Sequence, residues 1–147
     1  MKTFYYVEAD QYPVALLIKA NAFNTREITQ AYTESLEKRG LPRNELLACS
    51  LAYNLQGKAP AKLIKEYLAD LLPDLDALNT RIIYCADAAY FKVLTKSRKA
   101  EPHLGYVLPC AIKEFEHMQV VLGVNHKALL YNPTNESKLR LSLDTLA

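Results

Sequence analysis

The feature that most constrains this chain is a repeated pairing of a short, unbroken apolar run with a longer segment of helical periodicity. Val14-Ala15-Leu16-Leu17-Ile18 is apolar at every position. A strand with one face in water alternates, so a run that does not alternate predicts a strand buried on both faces, as in a parallel sheet. Leu46-Leu47-Ala48-Cys49-Ser50-Leu51 is a second such run, and Arg81-Ile82-Ile83-Tyr84-Cys85 predicts a third interior strand. Tyr106-Val107-Leu108 and Val120-Val121-Leu122 also read as strands. Residues 4–8, rich in aromatic and β-branched side chains, predict a short strand, followed by a turn at Asp10-Gln11-Tyr12-Pro13.

Helical signals fall between these runs. Asn24 and Thr25 are good caps, Ile28, Ala31, Tyr32, Ser35 and Leu36 keep helical spacing, and Gly40 is a stop. Pro60 suits a first helical turn. Leu63, Ile64, Tyr67, Leu68, Leu71 and Leu72 then form a buried stripe that Pro73 and Asp74 are expected to close. Residues 87–94 predict a short helix capped by Asp87, and residues 96–105 a basic loop. Residues 125–131 begin another helix, broken at Asn132-Pro133, and Leu139, Leu143 and Leu146 mark a final amphipathic one. The order predicts a three-layer α/β/α sandwich with a mostly parallel central sheet. No linker, repeat or low-complexity tract interrupts it, so residues 1–147 are expected to form a single domain.

Composition narrows the function classes. Eighteen basic residues against sixteen acidic ones give a net charge of +2 and a pI near 8.4. That is below the ~9 common among nucleic-acid binders, so any electrostatic argument rests on local clusters. Cys49, Cys85 and Cys110 have no metal-knuckle spacing, and His103, His117 and His126 are scattered. Reduced, buried thiols are expected, with no metal and no cofactor. No G-x-G-x-x-G or phosphate loop points to nucleotide binding. No run reaches the ~18 apolar residues of a membrane span. Glu8 and Asp10 interrupt the start, which argues against a signal peptide. The expected location is the cytoplasm, with no membrane partner.

In open α/β sheets, sites form at the carboxyl ends of the strands, which directs attention to residues 19–25, 53–60 and 123–127. Ile18-Lys19-Ala20-Asn21-Ala22-Phe23-Asn24, the linker Gly40-Leu41-Pro42-Arg43-Asn44-Glu45 and the stretch over 47–60 follow one another in this order. Leu71-Leu72-Pro73, Arg81-Ile82-Ile83-Tyr84-Cys85-Ala86 and Asn125-His126-Lys127-Ala128-Leu129-Leu130-Tyr131-Asn132-Pro133 come next. The series resembles the uracil-DNA glycosylases over roughly residues 14–133, especially the bacterial type with an iron–sulfur cluster. Phe91-Lys92-Val93-Leu94-Thr95, Gly105-Tyr106-Val107-Leu108-Pro109-Cys110 and Leu129-Leu130-Tyr131-Asn132-Pro133 are similar to the region before the 3′–5′ exonuclease domain in some phage family-A DNA polymerases. Leu141-Ser142-Leu143-Asp144-Thr145-Leu146-Ala147 is similar to where that region stops.

The resemblance implies a pocket for a flipped base, with a polar group after the first strand, a side-chain amide to read uracil and a donor to the uracil oxygen. Here Asn21 matches the first position, Cys49 or Ser50 the amide, and Asn125 the donor, with His126 one residue away. A thiol or hydroxyl cannot supply the paired donor and acceptor of an amide, and the cluster cysteines are missing. The pocket is therefore expected to be vestigial, its remnants being Asn21, Phe23, Ser50, Asn125 and His126, with Phe23 placed to stack on a base. As isolated residues, Asn21 is more often a turn or capping residue than a catalyst, Phe23 more often a core-edge aromatic and His126 more often a helix-start or surface residue.

Lys92, Lys96, Arg98 and Lys99 form a basic run, and Lys58, Lys62 and Lys127 lie in or beside loops that meet phosphates in the resembling family. Their alternative is a solvated face offset by Glu66, Asp70, Glu114 and Glu116. The expectation is a non-catalytic accessory domain of a phage DNA polymerase in an infected bacterial cell, partnered by the exonuclease–polymerase body and by DNA. An active glycosylase with atypical site residues and a pure protein-interaction scaffold are the alternatives.

Overall fold

The computed structural model describes residues 3–19, 23–51, 61–97 and 106–123, together with helical positions Lys138, Arg140, Leu141, Leu143 and Thr145. Chain order is β1 (Thr3–Tyr5), β2 (Val14–Lys19), α1 (Thr25–Ile28), a π-helical turn (Thr29–Thr33), α2 (Glu34–Lys38), a 3-10 turn (Arg43–Glu45) and β3 (Leu46–Leu51). It continues with α3 (Ala61–Ala77), β4 (Ile82–Cys85), α4 (Ala88–Thr95), β5 (Val107–Pro109) and β6 (Gln119–Leu122).

The strands form one sheet in the order β1-β3-β2-β4-β6-β5. Neighbours among β3, β2, β4 and β6 are parallel, but β1 on β3 and β5 on β6 are antiparallel. The expected mostly parallel sheet is thus a mixed one, parallel inside and antiparallel at both edges. The cause is chain length: residues 6–13 and 110–118 are shorter than the dozen or so residues a parallel crossover needs.

Right-handed crossovers decide which face each helix covers. The step from β2 to β3 runs one way along the sheet, and the step from β3 to β4 runs the other, so their helices lie on opposite faces. Strand alternation follows suit. Ala15, Leu17, Leu47, Cys49, Ile83, Cys85, Val120 and Leu122 pack with Ile64, Leu68, Leu71, Leu72 and Leu75 of α3 and Tyr90, Phe91 and Leu94 of α4. Val14, Leu16, Ile18, Leu46, Ala48, Tyr84 and Val121 pack with Ile28, Tyr32 and Leu36, where Leu143 joins them. Each fully buried aliphatic side chain contributes about 1.5–3 kcal/mol.

Local signals set most helix ends. The Asn24 side chain accepts from the Glu27 amide at the start of α1, and Asp87 accepts from the Tyr90 amide at the start of α4. Gly40, at φ 91°, follows α2. Two boundaries differ from expectation. Pro73 does not close α3, which runs on to Ala77. Pro73 and Ala69, the residue whose carbonyl lacks its helical partner, are both exposed, so water can serve that carbonyl, while Leu75 further along is buried. The first strand ends at Tyr5 because Tyr6 leaves the ladder. Its hydroxyl lies 2.5 Å from Thr29 Oγ1 and 2.8 Å from Thr33 Oγ1 on the π-helical turn. Arg43 stacks 5.0 Å from the Tyr6 ring centroid and donates to Glu37 through two nitrogens. Its guanidinium holds the Glu37 carboxyl below its ordinary range.

No helix among the described residues is long and apolar enough to cross a membrane.

Tyr84 is fully buried and meets Tyr32 edge-on, with ring centroids 5.5 Å apart. Its ring occupies the space a side chain at Gly123 would need. Gly123→Ala is therefore expected to destabilise the fold by about 1–3 kcal/mol through overpacking, read as a lower urea midpoint. Tyr84→Leu in the same chain should recover part of that stability; an unchanged midpoint for Gly123→Ala alone would contradict the close approach.

Candidate functional site

The central parallel strands all point their carboxyl ends to one rim, where the crossover direction reverses between β2 and β4. Asn21, Asn125 and His126, expected there, lie outside the described residues, as do Lys58, Arg98, Lys99 and Lys127. Phe23 is half-buried, packs against the α1–α2 side of the core and meets Phe4 edge-on at 5.7 Å. Its ring is engaged as a core-edge aromatic. Ser50 is buried beside Ile18 in the β2–β3 register, and its carbonyl accepts from the Tyr67 hydroxyl at 2.5 Å. Cys49 faces α3 in the core.

The three thiols are free and buried. Burial pushes the Cys49 thiol up to about 12 and raises Cys85 further; the Cys85 thiol donates to the Asp87 carbonyl. Cys110 is raised as well, chiefly by burial. Thiols held protonated are poor nucleophiles and poor metal ligands. Among the described residues no three His, Cys, Asp or Glu side chains come together as a metal site.

A different site emerges on the α3–α4 face. A groove of about 560 Å³ is lined by Lys65, Ala69, Lys92, Val93, Lys96, Ser97, Ile112 and Lys113. Four lysines and a serine line it together with Ala69, Val93 and Ile112, and among the described residues no carboxylate does. The acids that could offset the basic run do not enter it: Glu66 and Asp70 follow Lys65 and Ala69 by one residue on α3, a step that turns about 100° away. Glu114 and Glu116 do not line it either. None of the four lysines makes an ion pair among the described residues. Like charges gathered within a Debye length of about 8–10 Å repel one another, and an anion relieves that repulsion. A second cleft, of about 340 Å³ beside β1, is lined by Glu8 and Asp74 and, among the described residues, by no lysine or arginine.

Each lysine is brought by a different constraint. Lys65 rides on the polar side of α3, whose opposite stripe is buried. Lys62, exposed three residues earlier, extends the basic face along the same helix. Lys92 lies in the last turn of α4. Lys96 is its C-cap, left-handed at φ 55° and ψ 31°, with its N–H bonded to the Lys92 carbonyl. Lys113 belongs to the connection between β5 and β6. That connection is pinned where the Ala111 N–H donates to the Leu94 carbonyl at 2.7 Å, and where His117 Nε2 meets Asp76 Oδ1 at 2.7 Å. Lys92 and Lys96 are legible as a basic run in sequence. Lys65 and Lys113 are not, because only the neighbourhood of α3 and α4 makes them meet. Lys62 stands beside the groove and does not line it.

No protein-family model and no curated protein matches the chain.

Two outcomes follow from this geometry. A thiol whose folded pKa is raised stabilises the fold below its ordinary value of 9.0 and stops doing so as pH climbs toward about 12. Stability should therefore fall between these pH values in urea melts, and less steeply in Cys49→Ala. Lys96→Gly removes a side chain from a left-handed backbone position and should raise stability by roughly 0.5–1 kcal/mol; a lower melting temperature would show that the cap is unstrained.

Proposed function

We propose that this chain is a non-catalytic, DNA-contacting accessory domain of a phage DNA polymerase, a three-layer α/β/α sandwich of the uracil-DNA glycosylase-like kind. It would work beside an exonuclease–polymerase body in the cytoplasm of an infected bacterium. The observation that carries the DNA-contacting part is the groove lined by Lys65, Lys92, Lys96 and Lys113, with no carboxylate among the described lining residues. Lysines of this kind bind phosphate through charge, independently of sequence.

The ordered motifs and the parallel strands β3, β2, β4 and β6 support the glycosylase-like part. The carboxyl ends of these strands lie at one rim, where a base pocket would form. The non-catalytic part is supported by the residues where a uracil-reading amide is expected. Cys49 and Ser50 are both buried, and neither offers a paired donor and acceptor.

The test is binding of fluorescently labelled DNA as a function of salt, together with an assay for released uracil. Lys65→Ala with Lys113→Ala should weaken binding and flatten the dependence of log K on log salt by roughly 0.9 for each phosphate that is no longer neutralised. Both side chains are exposed, so the urea midpoint should stay near that of the parent chain. An unchanged slope would remove the groove from DNA binding. Release of free uracil from uracil-containing strands would overturn the non-catalytic reading and favour an active glycosylase.

A further inference from the structure

α3 carries its charges against its own dipole. A helix favours acids in its first turn and cations in its last, whereas α3 has no acid in the first and no base in the last. Lys62 and Lys65 stand near its start, Asp74 and Asp76 near its end. Asp76 meets His117 Nε2 at 2.7 Å. The Asp74 carboxylate has no hydrogen bond or ion pair among the described residues and lines the cleft beside β1. Local rules of this kind are broken at functional sites.

The cleft is a consequence of sheet order. α3 packs against Leu47 and Cys49 of β3, and β1 is the next strand outward. Tyr5 stands opposite Leu47 and Thr3 opposite Cys49, so β1 extends the same face beyond β3. About 340 Å³ is left beside α3, within the size range of small-molecule pockets. The Tyr12 hydroxyl donates to the Val7 carbonyl at 2.9 Å and accepts from the Ala9 N–H at 3.0 Å. Its polar end is thus satisfied inside the loop, and its ring lies 5.5 Å from that of Tyr5, tilted by 36°. Both tyrosines line the cleft, with Leu71 and Leu75 of α3 and a second carboxylate, Glu8, from the loop after β1. Burial is the main cause of the raised Cys49 thiol, and the Asp74 carboxylate adds to it. That charge is therefore felt on the buried side of the cleft, where Cys49 sits.

We propose that the cleft between β1 and α3 binds a small organic cation, an ammonium or guanidinium group carried on an apolar body. Glu8 and Asp74, from two separate elements, attract the charge. The tyrosine rings add the attraction of an aromatic face for a cation. The leucines take the apolar body, which a hydrated metal ion does not have. The cleft and the lysine groove draw on different parts of α3, Asp74 with Leu71 and Leu75 in one, Lys65 with Ala69 in the other. The proposal is independent of DNA binding.

The experiment is calorimetric titration of the full chain with phenethylamine, with its neutral counterpart phenethyl alcohol, and with phenylacetate. The amine should bind, the alcohol about tenfold more weakly or worse, and the anion not measurably. Asp74→Asn and Glu8→Gln should each weaken the amine about threefold or more, and Asp74→Asn should at the same time raise the urea midpoint by removing a charge that opposes the helix dipole. Lys65→Ala with Lys113→Ala should leave amine affinity unchanged. Capped arginine amide, titrated in parallel, separates the two sources of such a cation: tighter binding of it assigns the cleft to a side chain of a partner protein, tighter binding of phenethylamine to a free amine. Equal affinity for amine and alcohol, binding of neither cation, or displacement of the amine by millimolar calcium would overturn the proposal. So would amine binding seen only in Lys2→Ala, the residue next to Thr3, since the chain would then supply its own cation.

Discussion

The rest of the molecule depends on β2 being buried from both sides. Val14, Leu16 and Ile18 face one core, Ala15 and Leu17 the other, so no stretch of this strand can lie against water. A strand in that position needs partners on both edges and helices on both faces. β3 and β4 supply the partners. The faces are divided because the chain crosses one way from β2 and the other way from β3, with the handedness of crossovers held constant. The division puts α3 and α4 side by side. Their neighbourhood opens the groove that Lys65, Lys92, Lys96 and Lys113 help to line.

What can be read from the residues alone is what local chemistry decides. Unbroken apolar runs mark β2, β3, β4 and β6, and Asn24, Asp87 and Gly40 mark helix ends through caps and a left-handed turn. Edge strands are harder. Whether β5 pairs parallel or antiparallel depends on the length of its connection to β6, and the direction of β1 depends on the short path of residues 6–13. Pro73 has the look of a stop, but an exposed position lets a helix continue past a missing hydrogen bond when a buried leucine follows. The π-helical turn has no local signature either. Ile28, Tyr32 and Leu36 are spaced by four, a stripe that drifts about 40° per step around an α-helix. The wider turn takes up part of that drift, and all three side chains are fully buried.

The candidate site divides along the same line. Lys92 and Lys96 are close in sequence and visible as a basic run. Lys65 and Lys113 are distant from them, and their approach is a product of tertiary packing through the Ala111–Leu94 hydrogen bond and the contact of His117 with Asp76. The glycosylase resemblance directs attention to the rim of the parallel strands. The groove instead lies along the face of α3 and α4, where Lys65, Lys92, Lys96 and Lys113 line it with Ala69, Val93 and Ile112. A phosphate backbone laid there would contact residues that have no part in base recognition, in keeping with a proposed domain that holds DNA without cutting a glycosidic bond.

The far edge of the sheet bears on how copies of this domain meet. The Cys110 N–H donates to the Met118 carbonyl, so in the β5–β6 register Cys110 and Leu108 turn their hydrogen-bonding groups inward, and Val107 and Pro109 turn theirs outward. The proline thus stands where its missing amide costs the ladder nothing and denies an incoming strand a donor. Two such domains are poorly equipped to fuse their sheets edge to edge through β5. Crowded together, they would stay separate beads instead of zipping into a continuous ribbon.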